Sequence, residues 1–299
     1  MTIAAGFRCS DGVVLCADTE MTLGVAKFRE SKLLMSNRLG CQPAFVYAGD
    51  RGFSLMAISQ IVKAIRSAER DNKNVKEAIE EKLIDIYQKY ANLPVLPGCD
   101  PLSLNALVAL SLGQKAQRHL YSITGPSLSP VQDFACIGIG EYLGYHLGEL
   151  SFSPTMKTDE AAHAAAYVLY CAKQWVPYCG GTSEIMILDD DKGWSYFPPN
   201  QIESISLKDL ESDFGKFQLA LRDVIAGLGN FGLDRGVYDK SLKAFVDQVT
   251  KMRKRHSVKI EKLIQSERER QEELLEDFLA EESEKEKPES AEGKTPQGL

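Results

Sequence analysis

The threonine at position 2 could act as a nucleophile, although many proteins begin with Met-Thr and this dipeptide alone indicates almost nothing. Threonine is small enough for the initiator methionine to be removed, and the mature chain would then begin at Thr2. A chain-terminal threonine carries its own general base, because its free α-amine titrates near neutrality and can accept the hydroxyl proton. This chemistry needs no histidine, and the 4 histidines lie far apart, without catalytic-triad or metal-ligand spacing.

Two charged residues are predicted to lie beside this threonine. Asp11-Gly12 separates two short apolar runs and is a strong hairpin signal, which places Asp18 within a residue or two of the position opposite Thr2. Asp18 ends an apolar run, where a carboxylate needs a cation, and Lys32 on the next strand could supply one. An ammonium between Asp18 and Thr2 would lower the pKa of the hydroxyl. From spacing alone, Asp18 as a turn cap and Lys32 as a surface residue stay open as the alternative.

A third feature is the strand-to-helix turn at residues 48–50, which reads Ala-Gly-Asp. Backbone amides at the start of a helix can stabilise an oxyanion, and Gly49 would let a ligand approach closely. An ordinary turn would have the same sequence, so both interpretations stay open.

The elements that must position these residues follow in the order strands, two helices, strands, two helices, strands. Apolar positions at helical spacing predict a helix opened by Asp50 and further helices at about 73–91, 140–150 and 158–175. Paired helices between groups of strands do not fit a doubly wound sheet. The strands are apolar at successive positions, which indicates that both faces are covered. The sequence therefore predicts an α+β fold with two stacked sheets and helices outside each sheet.

Several of these segments together resemble the β-subunits of proteasomes, including the bacterial two-ring peptidases and the Anbu-like homologues. The resemblance spans about residues 2–197 and is carried by residues 2–7, 10–24, Lys32 and 48–50, with later glycine motifs at 134–140 and 180–181. It implies an N-terminal nucleophile (Ntn) hydrolase with a four-layer α-β-β-α sandwich, which agrees with the element order.

The resemblance also implies roles for individual residues. Thr2 would be the nucleophile and general base, Asp18 and Lys32 would tune it, and Gly49 would donate a hydrogen bond to the oxyanion. It further implies a peptide or protein substrate and assembly into a homo-oligomeric ring.

The sequence departs from this family at several positions. Glu20 stands where active β-subunits usually have a basic or small residue, and the short segment before the candidate lysine leaves Lys27 as its rival. Ile139, Val176 and Cys179 replace polar residues that normally support the threonine amine, and isoleucine and valine side chains cannot form hydrogen bonds. Two hypotheses follow: a threonine-type peptidase or related amidohydrolase, and a catalytically silent proteasome-like scaffold or assembly subunit.

The chain beyond the sandwich has a different character. We expect a hydrolase domain at 1–205, a helical extension at 206–282 with an amphipathic helix over 207–228, and a disordered acidic tail at 283–299. The extension is either a docking arm for partner subunits or a solvated surface element.

Composition excludes several classes of function. A net charge of -7 argues against nucleic-acid binding, and no run approaches the ~20 apolar residues of a membrane-spanning helix. The 7 cysteines form no disulfide framework, and no export signal is visible, so we expect a reducing, cytoplasmic location. No cofactor or metal is expected.

Overall fold

Two five-stranded antiparallel sheets form the centre of the fold. The computed structural model describes residues 2–23, 26–36, 40–90, 102–112, 117–190, 193–197, 207–229, 239–252 and 254. The strands are β1 (Ile3–Cys9), β2 (Gly12–Asp18), β3 (Glu20–Leu23), β4 (Ala26–Arg29), β5 (Leu33–Met35), β6 (Ala44–Gly49), β7 (Leu104–Leu112), β8 (Gln117–Thr124), β9 (Ser127–Pro130), β10 (Phe134–Gly138), β11 (Ser183–Asp189) and β12 (Gly193–Phe197). The first sheet has the order β10-β1-β2-β11-β12 and the second β5-β6-β7-β8-β9, while β3 and β4 form a separate hairpin.

The helices are α1 (Arg51–Arg70), α2 (Val75–Tyr90), α3 (Glu141–Ser151), α4 (Thr158–Trp175) and α5 (Leu207–Gly229). Helices α1 to α4 lie on the outer faces of the two sheets. Ile61 of α1 and Ile79 of α2 pack in one apolar cluster with residues of the second sheet. Leu169 of α4 packs with the outer face of the first sheet. The predicted helices are thus confirmed, with bounds that differ by one or two residues.

A third apolar cluster fills the space between the two sheets. It joins Val13 and Leu15 of β2 to Val46 of β6 and Leu107 of β7. Every residue of β2 is buried, because one face of the strand meets the other sheet and its opposite face meets α4. The α-β-β-α sandwich predicted from the near-continuous apolar strands is therefore confirmed.

The hairpin at Asp11-Gly12 has the register that the sequence predicts. Cys9 pairs with Gly12 and Ala4 with Ala17, so continuing the ladder places Asp18 one residue from the position opposite Thr2. A side chain at Gly12 would lie 2.1 Å from the carbonyl oxygen of Leu188, because β11 approaches the turn closely. The hairpin therefore needs this glycine on packing grounds.

The chain divides into two compact units, Met1–Gly215 and Lys216–Leu299. In the second unit, residues 239–252 are helical, and the rings of Phe217 and Phe245 lie 5.3 Å apart. The predicted tail at 283–299 lies outside the described residues. Among the residues that are described, no helix combines the length and the apolar character needed to cross a membrane.

Candidate active site

Three polar side chains from separate segments meet at the end of the first hairpin. The Thr2 hydroxyl donates a hydrogen bond to Oδ1 of Asp18 and accepts one from Nζ of Lys32. Lys32 Nζ also forms an ion pair with Asp18 Oδ1 at 2.7 Å. The three residues are at most 2% exposed. The structure therefore brings together three of the four residues selected from the sequence.

Backbone amides fix the Asp18 carboxylate in place. The Ile3 amide donates to Oδ1 at 3.1 Å, and the Gly180 amide donates to Oδ2 at 2.8 Å. A buried carboxylate is costly unless a cation and hydrogen bonds replace the water it loses, and Asp18 has both. The role of Gly180 was not apparent from the sequence, which indicated only a glycine motif at 180–181.

The Lys32 ammonium has acceptors for all its donors. Besides Thr2 and Asp18, it donates to the backbone carbonyl oxygen of Glu20 at 2.7 Å, which accounts for its three N–H groups. Burial lowers the pKa of Lys32, and the Asp18 carboxylate opposes this shift. Lys27, the rival candidate, instead pairs with Oε1 of Glu20 at 2.8 Å with its side chain 58% exposed. The structure thus places Lys32, and not Lys27, beside Thr2.

Two glycines hold the backbone of Thr2. Gly138 has a positive φ of 93°, and a Cβ at this position would lie 2.4 Å from the Thr2 carbonyl oxygen. The Gly140 amide donates to the same carbonyl oxygen at 3.3 Å. These glycines belong to the motif at 134–140, so the sequence located them without indicating this contact. Ile139, which lies between them, is 44% exposed.

Gly49 lies outside the hydrogen bonds that join Thr2, Asp18 and Lys32. It ends β6 with a positive φ of 99° and is solvent-exposed. The next residue, Asp50, caps α1 by accepting a hydrogen bond from the Phe53 amide at 2.7 Å. Exposed amides at such a turn can donate to an anionic ligand.

Val176 and Cys179 are the other two residues that depart from the family pattern, and both lie near the first sheet. Val176 packs against the apolar cluster between the first sheet and α4. Cys179 is buried, and burial, followed by the charge of Asp18, raises the pKa of its thiol to about 12. The thiol is therefore neutral at physiological pH. Within the described part of the chain, no group of histidine, cysteine or carboxylate side chains could hold a metal ion.

Comparisons with known proteins agree with this fold. A family model described as proteasome subunit matches residues 2–188. The proteasome subunit beta of Archaeoglobus fulgidus is 24% identical over 214 residues, which cover 69% of this chain and 93% of that relative.

Solved structures of Anbu proteins share the fold. The Anbu (Gly-1) mutant from Hyphomicrobium sp. strain MC1 superposes with a TM-score of 0.62 at 15% identity, covering 77% of this chain and 100% of that chain. Anbu, the ancestral beta-subunit, from Yersinia bercovieri gives 0.61 at 15% identity, covering 78% and 100%. The family match extends over more than half of the sequence and contains Thr2, Asp18 and Lys32, so this chain belongs to the proteasome subunit family.

Proposed function

We propose that this chain is a threonine-type N-terminal peptidase or related amidohydrolase with Thr2 as its nucleophile. The observation that carries the proposal is the buried Thr2 hydroxyl, which is hydrogen-bonded to both Asp18 and Lys32. A buried cation beside a hydroxyl favours its ionised form, and this is the arrangement that a nucleophilic threonine requires.

The reaction would begin once Met1 is removed. The freed α-amine of Thr2 accepts the hydroxyl proton, and Oγ forms a bond to the substrate carbonyl carbon. The Lys32 ammonium stabilises the negative charge on Oγ, while Asp18 holds Lys32 in position. The Gly49 amide donates to the substrate oxyanion. The substrate C–N bond then breaks as the leaving amine takes the proton from the Thr2 ammonium. Water attacks the acyl-enzyme ester, which releases the carboxylic acid and returns the Thr2 hydroxyl.

The wider assignment follows from family membership. The substrate would be a peptide or protein, the assembly a homo-oligomeric ring, and the location cytoplasmic. Beyond what the family match covers, we propose residues 1–205 as the hydrolase domain, 206–282 as a helical extension that is either a docking arm for partner subunits or a solvated surface element, and 283–299 as a disordered tail. Deletion of 206–299 with unchanged assembly by native mass spectrometry would contradict the docking role.

The test combines intact mass with covalent labelling. We expect the mature mass to correspond to a chain that begins at Thr2, and an electrophile directed at N-terminal threonine to add one equivalent at that residue. Thr2→Ala should lose the adduct and any peptidase activity, whereas Thr2→Ser should keep both. Thr155→Ala removes an exposed threonine far from the cluster in sequence and serves as the matched control.

The alternative function is a catalytically silent scaffold or assembly subunit. The observation that favours it is the apolar character of Ile139, next to the glycines that hold Thr2, and of Val176. A correctly processed chain that forms no adduct, or a mass that retains Met1, would support the scaffold and refute the peptidase.

A further inference from the structure

A second carboxylate, Glu184 of β11, is buried close to the candidate site. Glu184 is 1% exposed and pairs with Ala17 of β2, while the preceding residue, Ser183, pairs with Asp18. Successive residues of a strand point to opposite faces of the sheet. The Ser183 hydroxyl donates to Glu211 of α5, on the helical side, at 2.8 Å.

Glu184 accordingly lies on the face that meets the other sheet. Met186, two residues further along β11, packs between the sheets with Leu33 of β5. The Ser31 hydroxyl donates to Oε2 of Glu184 at 2.9 Å, and Ser31 directly precedes Lys32. Glu184 therefore contacts the segment that delivers the lysine to the site.

The influence of Glu184 on the lysine does not require direct contact. The three N–H groups of Lys32 are directed at Thr2, Asp18 and the carbonyl of Glu20. Burial lowers the pKa of Lys32. Asp18 opposes this shift most strongly, followed by Cys179 and then by the negative charge of Glu184.

The other titratable groups around the cluster fall into two classes. The buried groups are Cys179, after α4, and Tyr47 of β6; burial raises the pKa of each to about 12, so both are neutral at physiological pH. Neither changes the charge of the cluster between pH 6 and 10.

The charged side chains around Lys32 that are more exposed than these buried groups form ion pairs with one another. Glu20 of β3 pairs with Lys27 of β4 at 2.8 Å, and Glu30 pairs with Arg51 of α1. Charges near solvent are screened far more strongly than buried ones. Asp18 and Glu184 are both buried carboxylates that raise the pKa of Lys32. In the processed chain the α-amine of Thr2, which titrates at about pH 8, is a further group at this site, and it is the same in every variant compared below.

We propose that Glu184 is a positioning residue for Lys32: it holds the residue 31–32 segment through the Ser31 hydroxyl, and its charge keeps the ammonium protonated beside Thr2. The catalytic consequence of this assignment rests on the proposed function, but the effect on the lysine itself does not. Because a negative charge favours the protonated ammonium, removing it makes deprotonation easier and lowers the pKa of Lys32.

The experiment compares Glu184→Gln with Ser31→Ala in the full chain. Glutamine can still accept the hydrogen bond from Ser31 but has no charge, whereas Ser31→Ala keeps the charge and loses the bond. Glu149→Gln on the exposed surface of α3 is the matched control for the loss of one carboxylate. The primary readout is the pH titration of the Lys32 side chain by lysine-labelled NMR, with the resonance assigned by its loss in Lys32→Met.

We expect the Lys32 titration to move to lower pH by roughly half to one pH unit in Glu184→Gln and to stay in place in Glu149→Gln. Ser31→Ala should shift it less than Glu184→Gln, and its resonance should broaden as the segment loses its anchor. The rate of electrophile addition to Thr2 should lose its alkaline limb at correspondingly lower pH in Glu184→Gln.

An unchanged Lys32 titration in folded Glu184→Gln would overturn the proposal, as would an equal shift in Glu149→Gln. If Glu184→Gln does not fold, Glu184→Asp provides the second measurement: it retains the charge and should restore most of the wild-type titration. A shifted titration in a protein whose Thr2 never reacts would refute the peptidase and leave the positioning role intact.

Discussion

The buried pair between Lys32 and Asp18 can be tested by removing the ammonium alone. Lys32→Met keeps an unbranched side chain of similar length but leaves the Asp18 carboxylate, which is 0% exposed, without its cation. Breaking a buried pair in this way typically costs about 3–5 kcal/mol of unfolding free energy. Asp18 would still accept hydrogen bonds from Thr2 and from the amides of Ile3 and Gly180, so we expect the lower end, about 3 kcal/mol.

The assay is thermal and denaturant unfolding at one fixed protomer concentration, because assembly contributes to apparent stability. A loss of about 3 kcal/mol corresponds to a fall in Tm of roughly 6–12 °C for a domain of this size. Asp18→Asn combined with Lys32→Met removes both charges. The double variant should be less destabilised than the sum of the single variants by about 1–3 kcal/mol.

The matched control is Lys27→Met, which removes a lysine from the exposed pair with Glu20. Exposed ion pairs contribute about 0–1 kcal/mol, so this variant should unfold within that range of the wild type. A cost below about 1 kcal/mol for Lys32→Met, or strict additivity in the double variant, would refute the view that the site contains a desolvated and mutually dependent pair.

Two further predictions concern backbone positions. Gly138→Ala should displace Thr2, because the new Cβ would lie 2.4 Å from its carbonyl oxygen; we expect at least about 2 kcal/mol of destabilisation and a loss of electrophile addition. Gly125→Ala is the control, because Gly125 also has a positive φ but nothing lies within 4 Å of a Cβ added there. We expect this control to cost about 1–2 kcal/mol of unfolding free energy and to leave electrophile addition unchanged. Equal effects of the two variants would contradict the steric argument. Asp50→Ala should cost about 1 kcal/mol in denaturant unfolding through loss of the α1 cap, with Asp50→Asn close to wild type; equal losses would count against capping.

Much of the fold could be predicted because it depends on local patterns. The Asp11-Gly12 turn and the apolar strands around it fix the register that brings Asp18 near Thr2. Strands β4 and β9 have no clear pattern in the sequence: all four residues of β4 are exposed, and β9 has a single buried residue, Leu128. Such strands are held by pairing with a neighbour, and no alternation of apolar and polar residues reveals them.

The sequence by itself predicted the layered α-β-β-α architecture and, through hairpin register, placed Asp18 near Thr2. The roles of Thr2, Asp18 and Lys32 came from the resemblance to proteasome β-subunits. Only the tertiary structure decided between Lys27 and Lys32, since both are near in sequence and only their burial separates them. Only the tertiary structure revealed two hydrogen bonds near the site. The Gly180 amide donates to Asp18, 162 residues away in sequence, and the Ser31 hydroxyl donates to Glu184, 153 residues away. Contacts at that separation depend on how β11 docks against β2, which no local pattern of residues specifies.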